Sequence, residues 1–152
     1  MTIHQLSVFL ENKSGTLIQV FKVLKRAHIQ IIATTIADTT EYGIFRIICS
    51  EPVRAHNELH NAGLAVTLTD VFAIEIDDTP GSGCDAIEIF SSAGIGFKYL
   101  YSLVYKGKGL LIFRTDNPDA AKKIINDNNL KWIREDELRD TPPLYPLARE
   151  GL

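Results

Sequence analysis

The feature that most constrains this chain is a gapless internal repeat. Sliding the sequence over itself by 66 positions sets Gly15 on Gly81, Ala27 on Ala93, Ile29 on Ile95, Gly43 on Gly109, Pro52 on Pro118, Ala55 on Ala121 and Leu64 on Leu130. A repeat of that length is one supersecondary unit made twice, so every element read in one copy is expected in the other. In the first copy Leu6, Val8 and Leu10 alternate as a half-buried strand does, and Leu17, Val20, Phe21, Leu24 and Ala27 then recur at helical spacing behind Ser14, a candidate N-cap. Shifted by the repeat length of 66, the helical stripe becomes Gly83, Ala86, Ile87, Phe90 and Ala93, apolar at four of five positions.

After each helix comes a β-rich run, IQIIATTIAD or IGFKYLYSLVY, a short turn expected at Gly43 or Gly109, and a second β-rich run, IFRIIC or LLIFRT. Pro52 and Pro118 suit the first turn of a second helix, where a missing N–H costs nothing. The helical faces of those helices are expected at Ala55, Leu59 and Ala62, and at Ala121 with Ile125; LAVTLT and LKWI are expected to supply a fourth strand each. Each copy therefore reads β-α-β-β-α-β, the ferredoxin-like split unit. The expected architecture is α+β: two such modules packed side by side, with antiparallel sheets and helices on one face. Module one covers residues 1–69 and module two 70–136, and 137–152 form an extended tail rich in proline. No linker separates the modules, because AVTLTDVFAIEID holds no Gly or Pro. Strand four of copy one runs almost directly into strand one of copy two.

The stretch DTPGSGCDA contains Gly81, Gly83 and Ala86, which satisfy the G-x-G-x-x-A fingerprint of dinucleotide sites. Such a site also needs an acidic residue about 20 positions on to hold the ribose. No Asp or Glu lies between Glu88 and Asp116, and a hairpin follows the helix where a parallel strand is required. The glycines serve some other purpose.

FLENKSGTLIQVFKVLKRAHIQI, residues 9–31, resembles the opening of an ACT domain, a small ferredoxin-like module that binds amino acids and regulates metabolic enzymes. That family has Asn or Asp, any residue, Pro, Gly, any residue and Leu after strand one, and Gly-x-Asn-Ile before strand two. Copy one carries Asn12, Lys13, Ser14, Gly15, Thr16 and Leu17, then His28 to Ile31; copy two carries Asp78, Thr79, Pro80, Gly81, Ser82 and Gly83, then Gly94 to Phe97. The resemblance spans about residues 3–136 as a tandem pair, and departs from the pattern at Ser14, Gln30 and Gly83.

The resemblance implies sites between modules, the loop of one against the start of strand two of the other. One site would join Asn12, Lys13, Ser14, Gly15, Thr16 and Leu17 to Phe97, Lys98 and Tyr99. The other would join Asp78, Gly81, Ser82 and Gly83 to Gln30, Ile31 and Ile32. Glycine at a helix entrance lets a ligand approach the backbone, and the free N–H groups of the first helical turn can receive a carboxylate. The ammonium of an amino acid would be held by Asn12, Asp78 or a backbone carbonyl. Gly83 in place of Leu17 leaves the second site roomier, while Phe97 and Tyr99 would wall the first.

Other chemistry finds little support. Two cysteines in a chain with no leader-like start read as reduced, packed thiols and a cytosolic protein. A net charge of -3 with scattered bases gives no footprint for nucleic acid, and no apolar run is long enough for a membrane span. His56 and His60 in HNELH lack a third ligand at metal spacing and read as a solvated helix face; YKGKG reads as a hairpin tip. No catalytic motif, C-x-x-C or cofactor fingerprint stands, so the chain reads as non-enzymatic and without a cofactor. The partners expected are a free amino acid or similar small carboxylate, a metabolic enzyme under its control and a second copy of the chain. The competing reading is an interaction module with degenerate loops.

Overall fold

A single strand serves both repeats. The computed structural model describes residues 1–11, 15–38 and 42–139. Within them run β1 (Thr2–Glu11), α1 (Thr16–Arg26), β2 (Ile31–Asp38), β3 (Tyr42–Cys49), α2 (Pro52–Asn61), β4 (Ala65–Ile76), α3 (Ser82–Ser92), β5 (Phe97–Tyr105), β6 (Lys108–Thr115), α4 (Pro118–Asp127) and α5 (Glu135–Arg139). Strand β4 is 12 residues long: Ala65 to Phe72 pair with β1, and Phe72 to Ile76 pair with β6. The result is one curled, antiparallel six-stranded sheet in the order β2-β3-β1-β4-β6-β5. This corrects the expectation of two modules with sheets of their own. With no turn residue near Asp70, the chain has no means of breaking the strand in two.

The pleat of β4 fixes which side the helices take, since alternate residues point to opposite faces. Its even positions Val66 and Leu68 pack with Leu6, Val8, Leu10 and Phe45 of the sheet under Val20 and Leu24 of α1 and Ala55 and Leu59 of α2. Phe72 and Ile74, also even, pack with Phe113 under Phe90 of α3 and Ala121 and Ile125 of α4. All four long helices therefore cover one face. On the other, concave face Ile3, Ile48, Val71, Ala73, Leu110 and Ile112 form a third cluster, closed by Ile133 and Leu138. Helix α5 is pinned there: the Glu135 carboxylate accepts from the His4 backbone N–H at 2.9 Å, and the Tyr105 hydroxyl donates to the Glu137 carbonyl at 2.7 Å.

Several expectations change at this level. The fourth strand expected at LKWI is a lone bridge, Trp132 opposite Ile74, flanked by bonds from Glu75 N–H to Lys131 and from Ile133 N–H to Ala73. The cause is room: β1 already occupies that edge up to Phe72, leaving four residues of β4 to pair. Gly43 and Gly109 lie inside β3 and β6 rather than in turns, and the second hairpin turns at Lys106 and Gly107, both at positive φ as a two-residue type I′ loop requires. Pro52 and Pro118 do open α2 and α4. Cys49 is buried, but Cys84 is exposed and not packed. Helix α5 takes in the first residues of the segment expected to be extended; the segment from Asp140 lies outside the described residues.

Candidate functional site

Both helix entrances are built alike. Gly15 caps α1 at φ 93° and ψ -13°, and Gly81 caps α3 at φ 91° and ψ -17°. A side chain in that left-handed region is strained, which selects glycine at both. Neither cap supplies a side-chain acceptor, so the entrance of α3 keeps backbone N–H groups near Gly83 and Cys84 that no capping oxygen takes.

Beside each entrance lies a groove, about 390 Å³ in copy one and about 380 Å³ in copy two. The repeat relates them residue by residue. Phe9, Leu10 and Glu11 of β1 line the first where Glu75, Ile76 and Asp77 of β4 line the second; Thr16 and Gln19 of α1 answer to Ser82 and Asp85 of α3; Gly63, Leu64 and Ala65 answer to Asn129, Leu130 and Lys131. The sequence repeat thus extends to a duplicated concavity.

Their chemistry has diverged. Groove one is aromatic at its rim, where Phe9 and Tyr42 meet edge to face at 6.2 Å and are each about two-fifths exposed. Groove two is charged. Lys131 Nζ lies 2.8 Å from Glu75 Oε2, and Lys108 Nζ donates to Asp77 Oδ1 at 3.0 Å, an interaction that holds the lysine above its ordinary pKa. Asp85 stands in the first turn of α3.

The expected site residues divide. Gly15, Thr16 and Leu17 start α1, and Gly81, Ser82 and Gly83 start α3, with Ser82 Oγ 2.6 Å from Thr79 Oγ1. Asp78 is exposed in the loop, while Asp77 and Asp85 line the groove. Asn12, Lys13 and Ser14 lie outside the described residues. Phe97 belongs to the core, edge-on to Phe90 and Phe113 at 5.8 and 5.2 Å. Tyr99 lies under the Arg46 guanidinium at 3.8 Å, and its hydroxyl accepts from Gln5 Nε2 at 2.8 Å. Lys98 lines a different cleft. Ile31 packs against the first core and Ile32 against the concave one; the Gln30 N–H donates to Ser50 Oγ.

Neither expected pairing closes within one chain. Phe97 sits opposite Thr115, two residues beyond the Phe113–Phe72–Thr2 row, which leaves Glu11 and the α1 entrance about 20 Å further along the strands and three strands away. The α3 entrance and Ile31 are displaced by a similar amount in the opposite sense, since Ile31 pairs with Cys49 and Ile76 lies beyond the start of β1. The shared strand is the cause: it places copy two beyond copy one along the strand axis, so the entrances sit at opposite ends of the sheet. Groove residues missed by the sequence reading, Gln19 and Asp85 above all, carry the same 66-residue relation that revealed the repeat.

Residues 1–141 match the family model described as an ACT domain pair. The chain belongs to the ACT domain pair family. It thus has the tandem architecture of amino-acid-binding regulatory modules. Among solved structures, protein BT0572 from Bacteroides thetaiotaomicron is 31% identical over 93% of this ACT pair and 98% of that chain, with a TM-score of 0.87. The ligand-free regulatory subunit of aspartate kinase from Thermus thermophilus is 13% identical over 82% of this chain and 91% of its own, TM-score 0.59. The corresponding subunit from Thermus flavus is 14% identical, with coverages of 82% and 90% and a TM-score of 0.54. At that identity the two subunits share the fold. No curated protein matches the sequence. Among the described residues no helix is long and apolar enough to cross a membrane.

Proposed function

We propose that this ACT pair is a sensor whose two grooves bind a free amino acid or similar small carboxylate and report its level to a metabolic enzyme; two of the chains that share its fold are regulatory subunits of aspartate kinase. The observation that carries the reading is the duplicated groove beside a glycine-capped helix entrance. In groove two the ligand carboxylate would take the N–H groups of Gly83 and Cys84, where the helix dipole favours negative charge, and Asp85 or Asp77 would accept from its ammonium. In groove one the Phe9 and Tyr42 rim suits an apolar side chain, with Glu11 or Gln19 as the polar contact. The grooves would then prefer different ligands.

The distance between each entrance and its expected strand partner favours completion of the sites by a second copy. Edge strand β2 offers the surface for it: Ile36, Ile18 and Phe21 are exposed along that flank, and an unpaired edge with apolar neighbours readily extends across a two-fold axis. A ligand bridging two chains would favour one packing over another, which is the differential affinity that regulation requires.

Thermal melts against the twenty amino acids test this directly. A ligand at a hundred times its dissociation constant stabilises by about 2.7 kcal/mol, a rise of several degrees for a chain of this size. It should also protect exposed Cys84, next to the entrance, from alkylation, and Asp85→Asn should weaken that protection about tenfold. Sedimentation with and without the ligand reports whether a second copy takes part. If no amino acid moves the midpoint or slows Cys84 alkylation, the grooves are degenerate and the protein acts through its surfaces alone.

A further inference from the structure

Where the two repeats join, the sheet is split. The edge of β4 that faces β6 is paired only from Phe72 to Ile76. Toward the other end of β4, the chain leaves β6 at Thr115 and turns through Asp116 and Asn117 into α4, so Leu68, Thr69 and Asp70 stand across a gap from Arg114, Thr115 and Asp116. The gap is a cleft of about 490 Å³, separate from both grooves, and three cations line it: Lys98, Arg114 and Lys122.

Three features distinguish this cluster from scattered surface bases. First, it is specific to copy two. Counting back by the repeat length of 66, Lys98, Arg114 and Lys122 stand where copy one has Ile32, Ile48 and His56, so positive charge is confined to the copy that faces the cleft. Second, Lys98 is the bulged residue of β5, skipped between the pairs Phe97–Thr115 and Tyr99–Arg114. A bulge at the end of a ladder re-aims the side chain it carries. Third, none of the three cations forms an ion pair with a carboxylate among the described residues, although the cleft holds Asp70 and Asp116 and the chain as a whole is acidic. Asp70 is turned toward His4 Nε2 at 3.5 Å, and Asp116 accepts from the Thr115 hydroxyl at 3.4 Å.

We infer that the cleft between β4 and β6 is a second binding site, for a small organic anion with a doubly charged oxyanion head, a phosphate ester or a dicarboxylate. Arg114 supplies the planar fork that pairs two oxygens at once, Lys98 and Lys122 supply point charges from the two other sides, and Thr2 and Thr69 add hydroxyl donors at the rim. Because β4 belongs to both repeats and the cleft is lined by β1 of the first and by β5, β6 and α4 of the second, an anion there ties the halves together where the pairing of β4 with β6 stops.

The test is a titration of the isotopically labelled full chain, followed through its amide resonances, with inorganic phosphate, with succinate, and with sodium chloride at matched ionic strength. Saturable shifts centred on Lys98, Arg114 and Thr115 with phosphate or succinate, absent with chloride, are expected; which of the two saturates assigns the head group. Arg114→Gln and, separately, Lys122→Gln should each weaken binding at least tenfold while leaving the remaining spectrum folded. The Lys122 variant, on an exposed helix face, keeps the test valid if the strand variant fails to fold. Shifts that do not saturate, that chloride reproduces, that centre on Gly83 and Cys84 instead, or that survive both substitutions would overturn the assignment.

Discussion

At the residue scale the two capping glycines carry a definite stability cost if replaced. At Gly81 an added Cβ would meet nothing within 4 Å, so Gly81→Ala isolates the backbone term from any clash. At φ 91° that term is about 1–2 kcal/mol. Urea denaturation should report a loss of that size with an unchanged slope; a loss below 0.5 kcal/mol, on the order of surface substitutions, would mean the entrance relaxes out of the left-handed region. Valine at either position adds β-branching to the same strain, which makes it a poor probe of ligand binding.

The buried polar cluster of the concave face gives a pH prediction. Gln5 is fully buried, receives a bond from the Tyr101 hydroxyl at 2.7 Å and donates to Tyr99 and Ser7. Burial, reinforced by neighbouring Tyr99 and only partly offset by Arg46, raises the Tyr101 pKa well above the tyrosine norm. The unfolded chain loses this proton near pH 10 and the folded chain keeps it. Stability contributed by Tyr101 is therefore complete below about pH 10 and declines above it. Denaturation midpoints at pH 9 and pH 11 should show the fall, and Tyr101→Phe should reduce it; equal pH slopes for the two proteins would refute the assignment. Nothing in the sequence marks this cluster, because Gln5, Tyr99 and Tyr101 come together only when the sheet curls.

At the scale of elements, what the sequence reveals and what it conceals follow from the reach of each signal. The helices are legible because their stripes are local: Val20 and Leu24, Ala86 and Phe90, Ala55 and Leu59, and Ala121 and Ile125 are buried as their spacing requires, whereas Phe21 on the flank of its stripe and Ala62 and Ala93 at the helix ends are exposed. The repeat adds the matched caps at Gly15 and Gly81. LKWI looks like its counterpart LAVTLT, but whether it extends as a strand depends on how much of β4 its neighbour β1 leaves free, and that is set by residues at the far end of the sequence, beginning with Thr2 opposite Phe72. The same holds for Phe97. An aromatic residue at a strand start reads equally well as a ligand wall or a core member, and contact with Phe90 and Phe113 decides for the core.

For the whole molecule, the shared strand predicts cooperativity. The concave cluster mixes Ile3 and Ile48 of the first repeat with Leu110 and Ile112 of the second, and β4 carries residues of every cluster. Neither half can unfold without exposing the core of the other. Trp132, the sole tryptophan, reports on the second half, and buried Cys49, its thiol pushed up to about 11 mainly by burial, reports on the first. Tryptophan fluorescence and Cys49 accessibility should therefore give one denaturant midpoint. Two separated midpoints would show that the halves fold independently.

Strand β4 also sets a rule of parity for the chain. Side chains alternate across the sheet, and Val66, Leu68, Phe72 and Ile74 must all face the helices, so the offset between helix-facing positions of the two halves is fixed as an even number. Inserting one residue beside Asp70 would turn Phe72 and Ile74 to the concave side and present Val71 and Ala73 to α3 and α4, inverting the second half relative to the first. Inserting two would keep the faces and slide the halves apart by one pleat. Changes of length in this protein are thus tolerable between its repeats only in pairs.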